Sequence, residues 1–470
     1  MLPRVASARV KFSSWASLSI TICAHAHAKG SGGWAMMSGG PAAALHGGPP
    51  RVGVLGAATA AQRVRQSLQR AGLVLVAVGA QEEATATNSP LGNITEQKPE
   101  PAAAPQPPAP SEGTPPSGAA PQETAAVKTC TYDELVACRE VDVVYVALPL
   151  EERDEWVKRC IRHRKHVLLS IPAAPSAAVL QRWMELANSQ RLFLADGAVL
   201  MQGTRLERLW GMFSDAGDGD VGPLRAVRVC CSSGGSGHFS EALPATCDGV
   251  DSQFGVLGNL GWMAVATVLH GMQDTMPTAV LGRALQRDAA PGCSITEFSG
   301  ELLFPAAGSQ EVTVCMHVEH AAPASSSAAE QFLTAYGTAG SVTLHDLIVP
   351  VPDEDGNVRL TVASHETVQG EHLRRTVRRE REVRVAEAVE CTELPWRRLR
   401  DTLAPRPHGR TPRLASRFVT SAAAAAAHMR RSWSTQAVID AMLETTTKTM
   451  AVTKKTGDGA GKDDSAQQTT

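Results

Sequence analysis

One stretch of the sequence has the residue types and spacing of a phosphate-binding loop. Gly56 follows an apolar run, and Ala57, Ala58, Thr59 and Ala61 occupy the positions after it. Glycine permits a tight turn, and small side chains at the next motif positions let the backbone approach a diphosphate and the helix pack on the sheet. The start of such a helix offers free N–H groups and a positive dipole end to an anion. The stretch predicts a dinucleotide site; the alternative is a domain that kept this shape and lost the ligand.

The loop needs a strand before it and a helix after it, and the flanking pattern predicts both. Residues 51–57 form an apolar strand, residues 59–72 a helix and residues 73–79 a second apolar strand. A strand that is apolar throughout is typical of a parallel sheet covered on both faces. Alternating helices and strands return in residues 132–197. We therefore predict an α/β fold, with a Rossmann-type doubly wound parallel sheet in residues 51–200.

The remaining segments differ from this pattern. Residues 81–127 are rich in Pro and Ala, and we predict a disordered insertion because they cannot bury enough apolar surface. Strand-like runs recur in residues 201–450 and predict an α+β domain with an open-faced, mostly antiparallel sheet, serving substrate binding and dimerisation. Within it, the charged residues 371–388 indicate an exposed strand or a solvated helix. Residues 1–50 are predicted to be an N-terminal extension and residues 451–470 a disordered tail.

Composition excludes several classes of function. The net charge of −2 and the pI of about 6.7 argue against nucleic-acid binding through bulk positive charge. No apolar run reaches the ~20 residues that a membrane helix needs. The ten cysteines contain no CxxC pair and fit no zinc pattern, so no metal site and no disulfide scaffold are predicted. An N-terminus with Arg and Ser but no acidic residue resembles a mitochondrial transit peptide, but the apolar patch from Trp15 to Ala24 also resembles a weak secretory signal, and a third alternative is a true start at Met36 or Met37. The predicted location is mitochondrial or cytoplasmic.

Four stretches resemble the Gfo/Idh/MocA oxidoreductases, most closely the branch that contains dimeric dihydrodiol dehydrogenase. They are RVGVLGAATAA, VDVVYVALP with KHVLLSIPAAPS, FGVLGNLGWMAVATVL and YGTAGSVTLHDLIVP. The resemblance covers roughly residues 51–80, 128–350 and 432–445. It implies bound NAD or NADP, contacted also near Pro149 and Pro172, and a homodimer formed through the open sheet. It also implies hydride transfer between the nicotinamide and a hydroxyl group of a sugar, cyclitol or diol.

Three positions depart from the motifs of that family. Ile171 stands where the family has a lysine that contacts the nicotinamide and the substrate hydroxyl, and Asn259 and Met263 replace the acid and the proton-transferring His or Tyr. A positioned general acid or base is worth roughly 10²–10⁴-fold in rate, so this loss predicts slow catalysis. His238, in a Gly- and Ser-rich loop, is the best candidate to replace the missing proton-transferring residue, ahead of His270. His166 and the Cys230–Cys231 pair lie on predicted strands, where a structural role is the simpler interpretation.

The acid that usually follows the second strand and binds the ribose is also missing. Glu82 or Glu83 could substitute for it, although the adjoining insertion leaves their position open. Three hypotheses therefore stay open. The protein is an active NAD(P)-dependent oxidoreductase, an inactive family member that binds a ligand or scaffolds a partner, or a structural protein that uses its open sheet to oligomerise.

Overall fold

The computed structural model describes most of the two predicted domains. The described residues are 10–11, 49–80, 127–213, 221–233, 254–288, 294–305, 310–320, 330–369, 374–387, 392–403 and 421–459. The predicted insertion, apart from its last residue, and most of the predicted N-terminal extension lie outside these ranges. Two sheets organise the described residues, and the one nearer the N-terminus is parallel throughout.

The parallel sheet has six strands in the order β4-β3-β2-β5-β6-β7. Its strands are β2 (Arg51–Gly56), β3 (Val74–Ala80), β4 (Lys128–Thr131), β5 (Val143–Ala147), β6 (His166–Leu169) and β7 (Leu194–Asp196). Its helices are α1 (Ala58–Arg70), α2 (Tyr132–Ala137), α3 (Leu150–Arg162) and α4 (Ala177–Ser189), and α5 (Thr204–Gly211) follows the sheet. Helices on both faces bury the strands, which explains why β2, β5 and β6 are apolar almost without interruption. The predicted doubly wound Rossmann sheet is confirmed.

The second sheet has nine strands in the order β1-β9-β10-β11-β8-β12-β13-β14-β15 and is antiparallel except where β11 meets β8. Its strands are β1 (Val10–Lys11), β8 (Leu224–Ser232), β9 (Ala279–Arg287), β10 (Ile295–Pro305), β11 (Glu311–Glu319), β12 (Gln331–Gly337), β13 (Gly340–His345), β14 (Asn357–Gln369) and β15 (Arg374–Ala386). The helices of this part are α6 (Leu260–Gly271), α7 (Leu394–Leu403) and α8 (Ser421–Gly459). The predicted α+β domain with a mostly antiparallel sheet is therefore confirmed.

Helix α8 joins the two domains. The Ser432 hydroxyl accepts the Asp196 N–H at the end of β7, and the Gln436 side chain accepts the Ala174 N–H after β6. Further along the helix, the Thr445 hydroxyl accepts the Gly282 N–H of β9. Apolar residues of α6 and α8 also pack on the inner face of the second sheet. One helix thus fixes the carboxyl edge of the Rossmann sheet relative to the second domain.

The charged segment is the exposed strand β15, one of the two alternatives predicted for it, because a strand at a sheet edge tolerates charged side chains. Three details differ from the sequence predictions. Strand β14 was not predicted. The two residues of β1 pair with β9, inside the segment predicted to be an extension. Helix α8 continues to Gly459, past the predicted start of the tail, since no proline interrupts it. None of the described helices is long and apolar enough to span a membrane.

Candidate functional site

The predicted phosphate loop lies where β2 turns into α1. Gly56 has φ +148°, and a Cβ at this position would lie 2.6 Å from the carbonyl oxygen of Ala147 on β5. Ala57 is the N-cap residue of α1 and offers no side-chain hydrogen bond to the free N–H groups there. Ala57, Ala58 and Thr59 are exposed, so these amides face solvent behind only small side chains. The turn is therefore a cradle that fits a diphosphate.

Two further parts of the predicted dinucleotide motif are the third small residue, Ala61, and the acid expected after β3. Ala61 is buried where α1 packs on the sheet, as the third motif position requires. Strand β3 ends at Ala80, so Glu82 and Glu83, the candidates for ribose recognition, lie outside the described residues. The turn predicted to hold the phosphates is thus described, while the dinucleotide site as a whole stays a prediction.

Pro149 and Pro172 lie in two neighbouring loops, after β5 and β6, that a buried arginine connects. The Arg153 Nε atom donates to the Leu148 carbonyl at 2.6 Å, and Nη2 donates to the Ser170 hydroxyl at 2.7 Å. The Nη1 atom donates to the carbonyls of Ser170 at 2.8 Å and Ala173 at 3.2 Å, and also to that of Pro172. Arg153 is 3% exposed. Its guanidinium therefore fixes these two loops to each other, and the predicted contact of the loops with a nicotinamide stays a prediction.

Ile171 lies within the second of these loops and is fully buried. It offers no charge and no hydrogen-bond donor, so it cannot replace the family's lysine. The nearest cation shown by the hydrogen bonds is Arg153, which contacts the carbonyls on both sides of Ile171. A positive charge is thus present beside this position, but the N–H groups of Arg153 already donate to backbone carbonyls of the protein.

Met263 lines a small cavity, and most of the residues around it belong to the second domain. Asn259 precedes α6 and its carbonyl accepts the Met263 N–H at 3.2 Å, so both predicted positions lie together at the start of that helix. The cavity measures about 20 Å³. It is lined by Ala198, Met201, Gln202, Arg205, Leu206, Met263, Thr267, Leu347 and Ile348. Since a water molecule needs about 10–15 Å³ of such space, the cavity holds little more than one water in this conformation.

Two amide side chains at this site are buried without a described partner for their oxygen atoms. Gln202 is 2% exposed and lines the cavity, and Asn259 is 4% exposed. Neither Gln202 Oε1 nor Asn259 Oδ1 has a hydrogen-bond partner among the described residues. Amides donate and accept hydrogen bonds but do not transfer protons at ordinary pH. The site can therefore recognise polar groups better than it can catalyse proton transfer.

Arg205 brings a buried ion pair to the same cavity. Its Nη1 lies 3.5 Å from Oε2 of Glu387, which follows β15, and its Nη2 donates to the Leu347 carbonyl at 3.1 Å. Both side chains are almost fully buried. Glu387 belongs to the charged segment that the sequence indicated as solvated, and no local pattern distinguishes it from its exposed neighbours. The sequence analysis missed this partner for that reason.

Asp196 supports the residues that line the cavity. One of its carboxylate oxygens accepts the N–H groups of Ala198 at 2.9 Å and Val199 at 3.2 Å. Complete burial raises the pKa of this carboxyl, although its hydrogen bonds oppose that shift. Asp196 thereby shapes the turn that leads to Gln202, and it acts as a positioning residue.

The other candidates have structural roles or lie elsewhere. His166 accepts the Phe193 N–H on Nδ1, and burial lowers the pKa of its imidazole to about 4. Burial also lowers the pKa of His270 to about 3, and Arg431 adds to this shift. The Cys230 and Cys231 thiols have raised pKa values through burial, which makes them poor nucleophiles. His238 lies outside the described residues.

Sequence comparison identifies relatives of the first domain. Residues 51–197 match the profile of GFO_IDH_MocA, an oxidoreductase family with an NAD-binding Rossmann fold. A dTDP-3,4-didehydro-2,6-dideoxy-alpha-D-glucose 3-reductase from Streptomyces violaceoruber is 33% identical over 95 residues, which cover 20% of this chain and 28% of that protein. An uncharacterized oxidoreductase, ORF334 of Rhizobium meliloti, is 24% identical over 247 residues, covering 50% of this chain and 67% of the relative.

Structure comparison extends the likeness to the second domain. KijD10, a 3-ketoreductase from Actinomadura kijaniata solved with NADP and TDP-benzene, has a TM-score of 0.53 and 16% identity. The match covers 84% of this chain and 97% of KijD10, so the likeness of fold includes both sheets. Residues 51–197 are thus similar to the Gfo/Idh/MocA oxidoreductase family, and the likeness to KijD10 is one of fold.

Proposed function

We propose that this protein binds NAD or NADP at the carboxyl edge of its Rossmann sheet and belongs to the reductases of sugar-like or diol substrates. The cradle at Gly56 carries this proposal, because its close approach to Ala147 excludes any side chain and its helix start is open. When bound, the dinucleotide supplies or accepts a hydride. A relative reduces a dTDP-sugar, which supports a sugar, cyclitol or diol as the substrate class.

In this proposal, residues of the chain bind the dinucleotide and orient the substrate. The N–H groups at the start of α1 hold the diphosphate, and the loops at Pro149 and Pro172 form the nicotinamide end, fixed by Arg153. Gln202 and Asn259 provide amide groups for substrate hydroxyls. A sugar needs a larger space than about 20 Å³, so substrate entry requires the side chains around this cavity to move apart.

A second candidate function is ligand binding without turnover. Ile171 and Met263 favour it, because neither side chain transfers a proton and both are buried at the positions where the family does its chemistry. Loss of a positioned acid or base costs roughly 10²–10⁴-fold in rate. The two candidates share the dinucleotide site and differ only in catalysis.

Calorimetry of the full chain with NADPH, NADP, NADH and NAD tests the shared site. We expect one form to bind with a micromolar dissociation constant. Thr59→Asp should abolish that binding, because an exposed carboxylate at the start of α1 repels the diphosphate while favouring the helix dipole. Gln66→Asp, on an exposed position further along α1, is the matched control and should bind as the wild type does. Folded wild-type protein that binds none of the four forms refutes the proposal.

A substrate panel then separates the two candidates. Nicotinamide absorbance is followed with ketosugars, sugars, cyclitols and diols. Turnover by the wild type supports an active reductase. Binding without turnover supports the second candidate, and Ile171→Lys combined with Met263→His should then create activity if the rest of the site is intact.

Finer features of the resemblance are part of the same proposal. We infer a position near the dimeric dihydrodiol dehydrogenase branch from the FGVLGNLGWM stretch, and a homodimer through the uncovered face of the second sheet. Sedimentation at several protein concentrations tests the dimer. A mitochondrial or cytoplasmic location stays a prediction, and imaging of the full chain against one that starts at Met37 tests it.

A further inference from the structure

Three metal-ligating side chains converge on the outer face of the second sheet, away from the dinucleotide site. Residues of β11 alternate, with Val314, Met316 and Val318 buried and the residues between them facing outward. Glu297 on β10 and His317 and Glu319 on β11 lie on this outer face, each about one-third exposed. The cluster depends on pairing between two strands and so has no local sequence motif.

Strand register places the ligand atoms close together. Glu297 pairs directly with Glu319 across the two strands. His317 lies two residues before Glu319 on β11 and therefore on the same face of the sheet. The Nε2 atom of His317 lies 3.7 Å from Oε1 of Glu297 and 3.7 Å from Oε2 of Glu319. Ligands bound to zinc at about 2.0–2.1 Å in tetrahedral geometry lie about 3.3 Å apart, so the two distances from His317 need to shorten by only a few tenths of an ångström. All three ligand atoms lie within 4.8 Å of one another.

A separate hydrogen bond orients one of the carboxylates toward the histidine. The hydroxyl of Ser232, a residue 5% exposed on the adjacent strand β8, donates to Oε1 of Glu319 at 2.9 Å. This bond occupies Oε1 and leaves Oε2 directed at His317. Carboxylates that bind metals are supported in this way by neighbouring donors. The buried serine thus fixes a ligand atom that faces the centre of the cluster.

The charges of the cluster also favour a cation. Two carboxylates directly opposite each other on antiparallel strands repel and destabilise the pair. A divalent ion between them removes that repulsion, and an imidazole ligand favours zinc over the alkaline-earth ions. We propose that Glu297, His317 and Glu319 form a binding site for a divalent transition-metal ion of the zinc type, with water in the remaining coordination position. The site is independent of the proposed dinucleotide function.

Zinc titration of the full chain, stripped with chelator and dialysed, tests the site. We expect a single equivalent to bind, and magnesium at the same concentration not to compete. His317→Gln and Glu319→Gln should abolish binding, and Ser232→Ala should weaken it by about 10–100-fold, the range found for supporting residues. His345→Gln on β13 and Glu301→Gln on β10 change exposed residues of the same sheet outside the cluster, and both should bind as the wild type does. Melting curves confirm that each variant is folded.

Cobalt substitution gives a second readout that an ion pair between His317 and the carboxylates would not produce. Visible d–d absorption that is lost in His317→Gln supports the site. A wild type that binds no zinc overturns the proposal, as do folded His317→Gln and Glu319→Gln variants with unchanged affinity. A thiolate charge-transfer band that disappears in Cys315→Ser also overturns it, because the ion would then belong to a cysteine.

Discussion

Removal of the Arg153 side chain should loosen the two loops at the nicotinamide end of the site. The guanidinium donates to four backbone carbonyls and one hydroxyl, all in the segments around Leu148 and Ser170. Arg153→Met keeps most of the side-chain volume and removes every donor. The carbonyls of two loops then lose the group that holds them together.

The loss in the free energy of unfolding depends on how many carbonyl oxygens are left without a hydrogen bond. An unsatisfied buried acceptor costs about 1–3 kcal/mol, and loss of all partners by two of the carbonyls gives a decrease of about 2–6 kcal/mol in the free energy of unfolding. The other acceptors regain water, because removal of the guanidinium makes space beside them. Since Pro149 and Pro172 lie in the affected loops, dinucleotide affinity should fall as well.

Urea unfolding followed by circular dichroism, with dinucleotide calorimetry on the same samples, measures both effects. Arg162→Met is the matched control: Arg162 is exposed on the same helix, and its loss should change stability by less than about 0.5 kcal/mol. Equal unfolding midpoints for Arg153→Met and the wild type would refute the reasoning. A stability loss with unchanged dinucleotide affinity would refute the role assigned to the loops.

The other predictions concern the phosphate turn, a buried ion pair within the second domain and a buried histidine. Gly56→Ala should lower stability by about 1–3 kcal/mol through its positive φ and its contact with the β5 backbone, whereas Gly211→Ala, with open space around it, should be neutral in the same urea assay. Arg431 forms a buried pair with Asp274, at 2.6 Å, so Arg431→Met should cost about 3–5 kcal/mol and exposed Arg430→Met almost nothing, as differential scanning calorimetry would show. Burial lowers the pKa of His166 to about 4 from the ordinary value of 6.5, so the unfolded chain takes up the proton first. This group therefore lowers the free energy of unfolding by about 1.4 kcal/mol per unit as the pH falls from 6.5 to 4, and a folded His166→Gln variant should show a shallower pH dependence.

The amino-acid sequence was sufficient to predict the architecture. Fully apolar strands and helices with apolar residues at regular spacing are local features, and burial in a parallel sheet is what selects them. The loop at Gly56 was predicted for the same reason, since its turn, its small residues and its helix start are consecutive in the chain. The extra strand β14 was missed although Val358, Leu360 and Val362 alternate with polar residues, which is the pattern of a half-buried strand.

The site depends on contacts that no local pattern contains. Met263 meets Gln202 and Arg205 at one cavity, and Arg205 pairs with Glu387, although long stretches of chain separate these residues.

The sequence by itself determined the two kinds of sheet and the turn at Gly56. Only the tertiary structure decided that Met263 meets Gln202 and Arg205 at a cavity of about 20 Å³, and that Glu297 lies beside His317. The reason is physical: periodicity encodes which face of an element is buried, whereas strand register and the docking of α8 between the domains decide which distant side chains meet.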